Sequence, residues 1–145
     1  RKLKVESGKG FVWSGKWTVK RKMDEEKYKS GYKNLVVWKK ADELALAIYF
    51  VTKKFPRDEI FGLVSQMRRC AVSVPANIAE GYGRRTAKDR TQFYYISSGS
   101  LNELEYYIDF SCKLEYISVS ERDCLCALRN DVGRLLYGFI NSQRS

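Results

Sequence analysis

The residues best suited to do chemistry lie in one run, Cys70 to Arg90, which reads CAVSVPANIAEGYGRRTAKDR. Physically this is a helix end containing Pro75, a glycine turn at Gly81 and Gly83, and a new helix start carrying Arg84, Arg85, Lys88 and Arg90. Cations beside the exposed amides of a helix start suit phosphate, because the amides and the dipole also favour negative charge. Tyr82 adds a ring on which a base could stack. A solvated turn with ordinary surface charge has the same composition, so residue types alone leave both readings open. Arg68 and Arg69 lie upstream on the same helical pattern, and Lys53 and Lys54 close the preceding one. These four extend the basic surface if the fold brings them alongside.

Catalytic chemistry is poorly provided for. The chain has no histidine, which excludes Ser-His and Cys-His nucleophile systems. Gly81-Tyr82-Gly83 follows a helix instead of opening one after a strand, so it does not read as a phosphate loop. Glu105 and Asp109 share a helix face and Glu103 lies near them, but ion pairing explains such carboxylates better than a di-metal site, which calls for Glu-x-x-His repeats. The four cysteines (Cys70, Cys112, Cys124 and Cys126) contain no CxxC pair, and no structural metal or cofactor is expected. Cys70 and Cys112 read as small core hydrophobes, and Cys124 and Cys126 point to different helix faces. The expectation is a protein that is not an enzyme.

The formal charge of +10 is unevenly placed. Residues 1–22 carry eight basic residues and one acid, a net +7, and residues 23–145 carry the remaining +3. Any nucleic-acid reading must survive that division. No apolar run approaches the ~20 residues of a membrane helix, and residues 1–22 lack a continuous apolar signal segment. A cytoplasmic protein is expected. Met23 precedes Asp24, Glu25 and Glu26 and is the expected natural start, with residues 1–22 upstream or fused sequence. In that extension Phe11, Val12 and Trp13 could pair with Trp17 and Val19 about a turn at Ser14 and Gly15, but a lone two-stranded ribbon is marginal in water, so disorder is an equal alternative there.

The elements that must position the cations are helices. Val37, Ala41, Leu44, Ile48, Val51 and Phe55 recur at steps of 4, 3, 4, 3, 4, and Pro56 ends that helix. Ile60, Val64, Met67, Ala71, Val74 and Ile78 repeat the spacing in a second helix starting near Asp58, with a kink expected from Pro75. The third is expected from Thr86, capped with Asp89, to Tyr116 through Leu101, Leu104 and Ile108. The fourth is expected from Ser120 through Leu125, Leu128, Val132, Leu135 and Phe139. The fold class is therefore all-α, an antiparallel up-down-up-down four-helix bundle (residues 32–145) behind a basic, non-helical extension (residues 1–31). Trp38, Leu46, Tyr49, Phe61, Phe93, Tyr95, Tyr106, Phe110, Leu136 and Tyr137 fall outside the main stripes. That surplus points to packing against further copies of the chain, with broad core faces as the alternative.

The run VPANIAEGYGR, Val74 to Arg84, resembles the signature of the four-helix-bundle proteins encoded within intervening sequences of bacterial 23S rRNA genes. Tyr32 to Pro56 is similar to that family's first helix, including Leu35, Trp38, Ala41 and Leu44, and Gln92 to Tyr116 resembles its third. The likeness spans roughly Tyr32 to Phe139. It implies a ring-shaped homopentamer. Relatives include the accessory variability determinant of diversity-generating retroelements, whose basic surface is thought to bind nucleic acid and a reverse transcriptase. The partners so implied are RNA or another nucleic acid, or a protein such as a reverse transcriptase. Within the signature Pro75, Asn77, Glu80 and Gly81 are expected to be structural, with Asn77 and Glu80 serving backbone groups freed at Pro75 or bridging subunits.

Overall fold

The computed structural model describes residues 3–6, 9–13 and 31–144. Strands β1 (Leu3–Glu6) and β2 (Lys9–Trp13) pair antiparallel, with Leu3 opposite Trp13. Phe11 to Trp13 is thus a strand, but its partner lies upstream of it. Trp17 and Val19 fall outside the described residues.

A 3-10 turn, Gly31–Asn34, leads into α1 (Val36–Val51). The stripe expected from spacing is buried there, from Val37 through Ala41, Leu44 and Ile48 to Val51. Thr52 ends the helix by donating its hydroxyl to the Ile48 carbonyl at 2.7 Å. Two 3-10 turns, Thr52–Lys54 and Arg57–Glu59, then flank Pro56. Phe55 is extended ahead of the proline, as the ring demands.

Helix α2 spans Leu63–Tyr82, starting later than Asp58. Asp58 and Glu59 belong instead to the preceding turn, where the Glu59 carboxylate accepts from the Leu63 amide at 3.0 Å and so caps α2. Ile60 lies in that turn and is 54% exposed, so the helical stripe begins only at Leu63 and Val64. Helix α2 runs unbroken through a buried Pro75. Helix α3 is Ala87–Lys113, and its N-cap Thr86 accepts from the Asp89 amide at 3.1 Å. The return half of a capping box is absent there among the described residues. It is found at α4 (Val119–Ser142), where Ser118 and Glu121 exchange both bonds. That places the fourth helix's N-cap two residues before Ser120 and its first residue one before. Helix α3 stops short of Tyr116 because Glu115 turns left-handed, at φ 61°.

Helix α1 packs on α2 and α4, and α3 packs on α2 and α4, which is the square of an antiparallel bundle. The α2–α3 pair is close because small groups line it. Ser97 donates to the Val74 carbonyl at 2.9 Å, and the Ser73 and Ser100 hydroxyls meet at 2.9 Å. In α4 the buried stripe is Leu125, Leu128, Val132, Leu136 and Ile140, while Leu135 is exposed. The step from Val132 is therefore four and not three. No described helix is long and apolar enough to cross a membrane.

Candidate nucleic-acid interface

The up-down path sorts the basic residues to opposite ends. The C-terminus of α2 and the N-terminus of α3 share one end with the C-terminus of α4. Arg84, Arg85, Lys88 and Arg90 are there. Arg68 and Arg69 lie early in α2, and Lys53 and Lys54 follow α1, so all four sit toward the other end. From Arg69 to Tyr82 is about 20 Å of helix. The two groups do not form one surface, which corrects the expectation that Arg68, Arg69, Lys53 and Lys54 extend the cluster.

Residue by residue, three predicted cations are structural. Arg90 donates to the Arg84 and Arg85 carbonyls at 3.2 and 3.0 Å and to Gln143 at 3.2 Å, clamping the α2–α3 turn onto α4. Arg68 donates to Thr52 Oγ1 at 3.0 Å and to the Tyr49 carbonyl at 3.3 Å, and its guanidinium lies 4.7 Å from the Tyr49 ring. It closes the end of α1. Lys54 grips both carboxylate oxygens of Glu121, a side chain left 2% exposed. Burial alone would raise the Glu121 carboxyl, but the bonds from Lys54 and Ser118 outweigh it and hold the group below its ordinary range.

The remaining cations face solvent. Arg84 pairs with Glu80 and stacks 4.7 Å from the Phe93 ring. Arg85, Lys88, Arg69 and Lys53 are exposed. Lys88 lines a groove of about 720 Å³ with Thr91, Gln92, Tyr95, Ile96 and Arg144. Arg144 was absent from the sequence-derived set because 56 residues separate it from Lys88. It donates to the Tyr95 hydroxyl and lies 5.9 Å from that ring. A basic residue just past the last helical stripe was the signal that could have found it.

The signature residues serve the scaffold beneath. Gly81 is buried, and a Cβ there would fall 2.6 Å from Tyr94 Cε1 and 3.0 Å from Phe93 Cβ, so only glycine lets α3 approach. Asn77 donates to the Ser73 carbonyl and hydroxyl at 2.8 and 3.0 Å, which is not the Ala71 carbonyl that Pro75 leaves without its usual donor. Glu80 pairs with Arg84.

The carboxylates considered for acid–base work are engaged in pairs. Glu105 meets Arg129 at 3.4 Å, Asp109 meets Arg122 at 2.8 Å, and Glu103 accepts from Tyr107 at 2.9 Å. Burial, then nearby Glu103, pushes the Cys70 thiol up to about 12, which leaves it unreactive.

A comparison with curated proteins finds no match. Among solved structures the fold is similar to a protein of unknown function from the S23 ribosomal protein family of Bacteroides thetaiotaomicron. The two are 25% identical at a TM-score of 0.66, covering 72% of this chain and 98% of that one. The family model for the 23S rRNA-intervening sequence protein matches residues 33–138, which takes in all but the ends of the bundle. The bundle, its VPANIAEGYGR signature and this match agree: the chain belongs to the 23S rRNA-intervening sequence protein family.

Proposed function

We propose that the protein is a non-enzymatic, oligomeric scaffold of the cytoplasm that binds RNA or a nucleoprotein by phosphate contact. The observation that carries this reading is the exposed cationic end, where Lys88 in the first turn of α3 lines one groove with Arg144 just past α4, and Arg85 lies exposed in the turn before α3. Arg84 borders it, partly neutralised by Glu80. Helix α3 adds its own N-terminal field, which favours an anion at the same place. The buried thiol and the paired carboxylates leave little for turnover to use.

Oligomerisation is supported by a second groove, of about 400 Å³, between α1 and α2. Trp38, Leu46, Tyr49, Val72 and Ala76 line it, and Leu46, Tyr49 and Val72 are each more than a third exposed. The resemblance supplies the number five. At +3 per copy for residues 23–145, a pentamer carries +15, and +50 with the extensions. Repetition around a ring thus raises a mild charge to one that attracts RNA. The same apolar groove favours a second reading, a scaffold that holds a protein such as a reverse transcriptase without touching nucleic acid itself.

RNA binding by the full chain, followed by fluorescence anisotropy across a salt series, separates the two. Under the first reading the logarithmic salt slope is several units, since each neutralised phosphate contributes about −0.7 to −0.9. The double change Arg85→Glu and Lys88→Glu then flattens it. An unchanged slope in that variant defeats the assignment to this end. Multi-angle light scattering checks the pentamer directly.

A further inference from the structure

The cationic groove does not end at the tip of the bundle. Tyr95 and Arg144 line both it and a smaller hollow of about 140 Å³ farther along α3 and α4. Ser98, Gly133 and Tyr137 in turn line both that hollow and a third, of about 510 Å³, reaching Arg134. The shared residues make one continuous furrow between α3 and α4. Its floor is open because Ser98 and Gly133 are small. Two tyrosine rings border it and are strongly exposed, Tyr95 at 47% and Tyr137 at 71%.

In the single chain neither ring is buried, and their amphipathic faces suit stacking. The charges beside them are graded. Arg134 is paired with Asp131. Lys88 and Arg144 have no carboxylate partner among the described residues, and Arg144 uses its guanidinium to hold the Tyr95 hydroxyl in place. Positive charge therefore sits at the tip, and aromatic surface continues below it.

We infer that this furrow binds single-stranded nucleic acid in preference to duplex, with phosphates at Lys88 and Arg144 and unpaired bases on Tyr95 and Tyr137. The inference rests on the phosphate-binding reading above and goes beyond it. A duplex keeps its bases stacked inside and offers these rings nothing, whereas a single strand can splay its bases onto them. The furrow runs about 20 Å along α4 from Arg129 to Ser142. At the ~3.4 Å spacing of stacked bases on one strand that corresponds to roughly six nucleotides.

The test is anisotropy of the full chain with a fluorescein-labelled 12-nucleotide RNA of mixed sequence, alone and annealed to its complement. The single strand is expected to bind at least ten-fold more tightly. Tyr137→Ala and Tyr95→Ala should each weaken the single strand roughly five-fold or more, and Tyr137→Ala should leave the duplex unchanged. Tyr137→Phe should retain wild-type binding, because it keeps the ring. Both tyrosines are exposed, and circular dichroism confirms that the variants fold. Equal binding of the two RNAs, or a preference for the duplex, overturns the inference and leaves the phosphate reading standing. A single-strand preference indifferent to both tyrosines overturns the furrow as its seat. Binding of neither RNA at low salt overturns both readings.

Discussion

The two ends of the bundle use the same residue types for different work. At the end formed by the close of α1 and the starts of α2 and α4, Arg68 satisfies the last turn of α1 and Lys54 neutralises a buried glutamate. Their charge is committed to holding helices together. At the other end one arginine, Arg90, does that job for the whole turn, Lys88 and Arg144 are left around an open groove, and Arg85 is left exposed in the turn. The difference lies in what the fold already asks of each cation, not in how many basic residues a segment contains. A cation that a carboxylate or carbonyl already holds has less to offer a phosphate.

The sharpest break between the ends should appear in stability. Lys54→Met leaves the Glu121 carboxylate buried without its counter-charge, and urea denaturation should show a loss of about 2–3 kcal/mol. That is below the fully buried case because Lys54 is itself 42% exposed. Lys88→Met, a surface change, should stay within about 0.5 kcal/mol.

The same pair predicts a pH dependence. The folded Glu121 carboxyl lies below its ordinary value, so its contribution is present in full above that value. It should fade as pH falls below about 4.3 and through the folded value. Glu121→Gln should lose stability at neutral pH and show a flatter acid limb in thermal melts.

Next in size is Gly81→Ala, at the cationic end. Tyr94 is fully buried and cannot move aside for the new methyl. Overpacking of about 1–3 kcal/mol is partly offset by the ~1 kcal/mol better helix propensity of alanine. A net loss of about 1–2 kcal/mol is expected by urea denaturation. A stabilised variant would show that α2 and α3 are less tightly apposed than the geometry indicates.

Binding should then separate the ends again. Arg85→Glu with Lys88→Glu is expected to weaken RNA at least ten-fold, worth about 1.4 kcal/mol. Lys53→Glu with Arg69→Glu should change it less than three-fold, as read by anisotropy at one salt concentration. The smallest effect is a gain. Glu115 sits at φ 61°, so Glu115→Gly should stabilise the α3–α4 turn by about 1 kcal/mol in the same denaturation assay.

Much of the fold was legible because helical spacing is a local property. Val37 to Val51, Val64 to Ile78 and Leu101 to Ile108 are buried where their steps of three and four place them. The failures were local ambiguities as well. Leu135 and Leu136 are adjacent, and a 3.6-residue period accepts a step of three or of four from Val132. Facing helices decided for Leu136. Ile60 matched the stripe in spacing but lies in a turn, where helical phase has no meaning. Serine and glutamate three apart would have marked the start of α4 at Ser118, yet Ser120 and Asp123 offered the same signal two residues on.

By itself the sequence determined the helices, their order, the cationic α2–α3 turn and the family signature, since each depends on residues within a few turns of one another. The tertiary structure decided which cations remain available. Lys54 meets Glu121 across 67 positions of chain, and Lys88 shares a groove with Arg144 across 56. Such encounters depend on how four helices fold back on one another, and no local spacing encodes them.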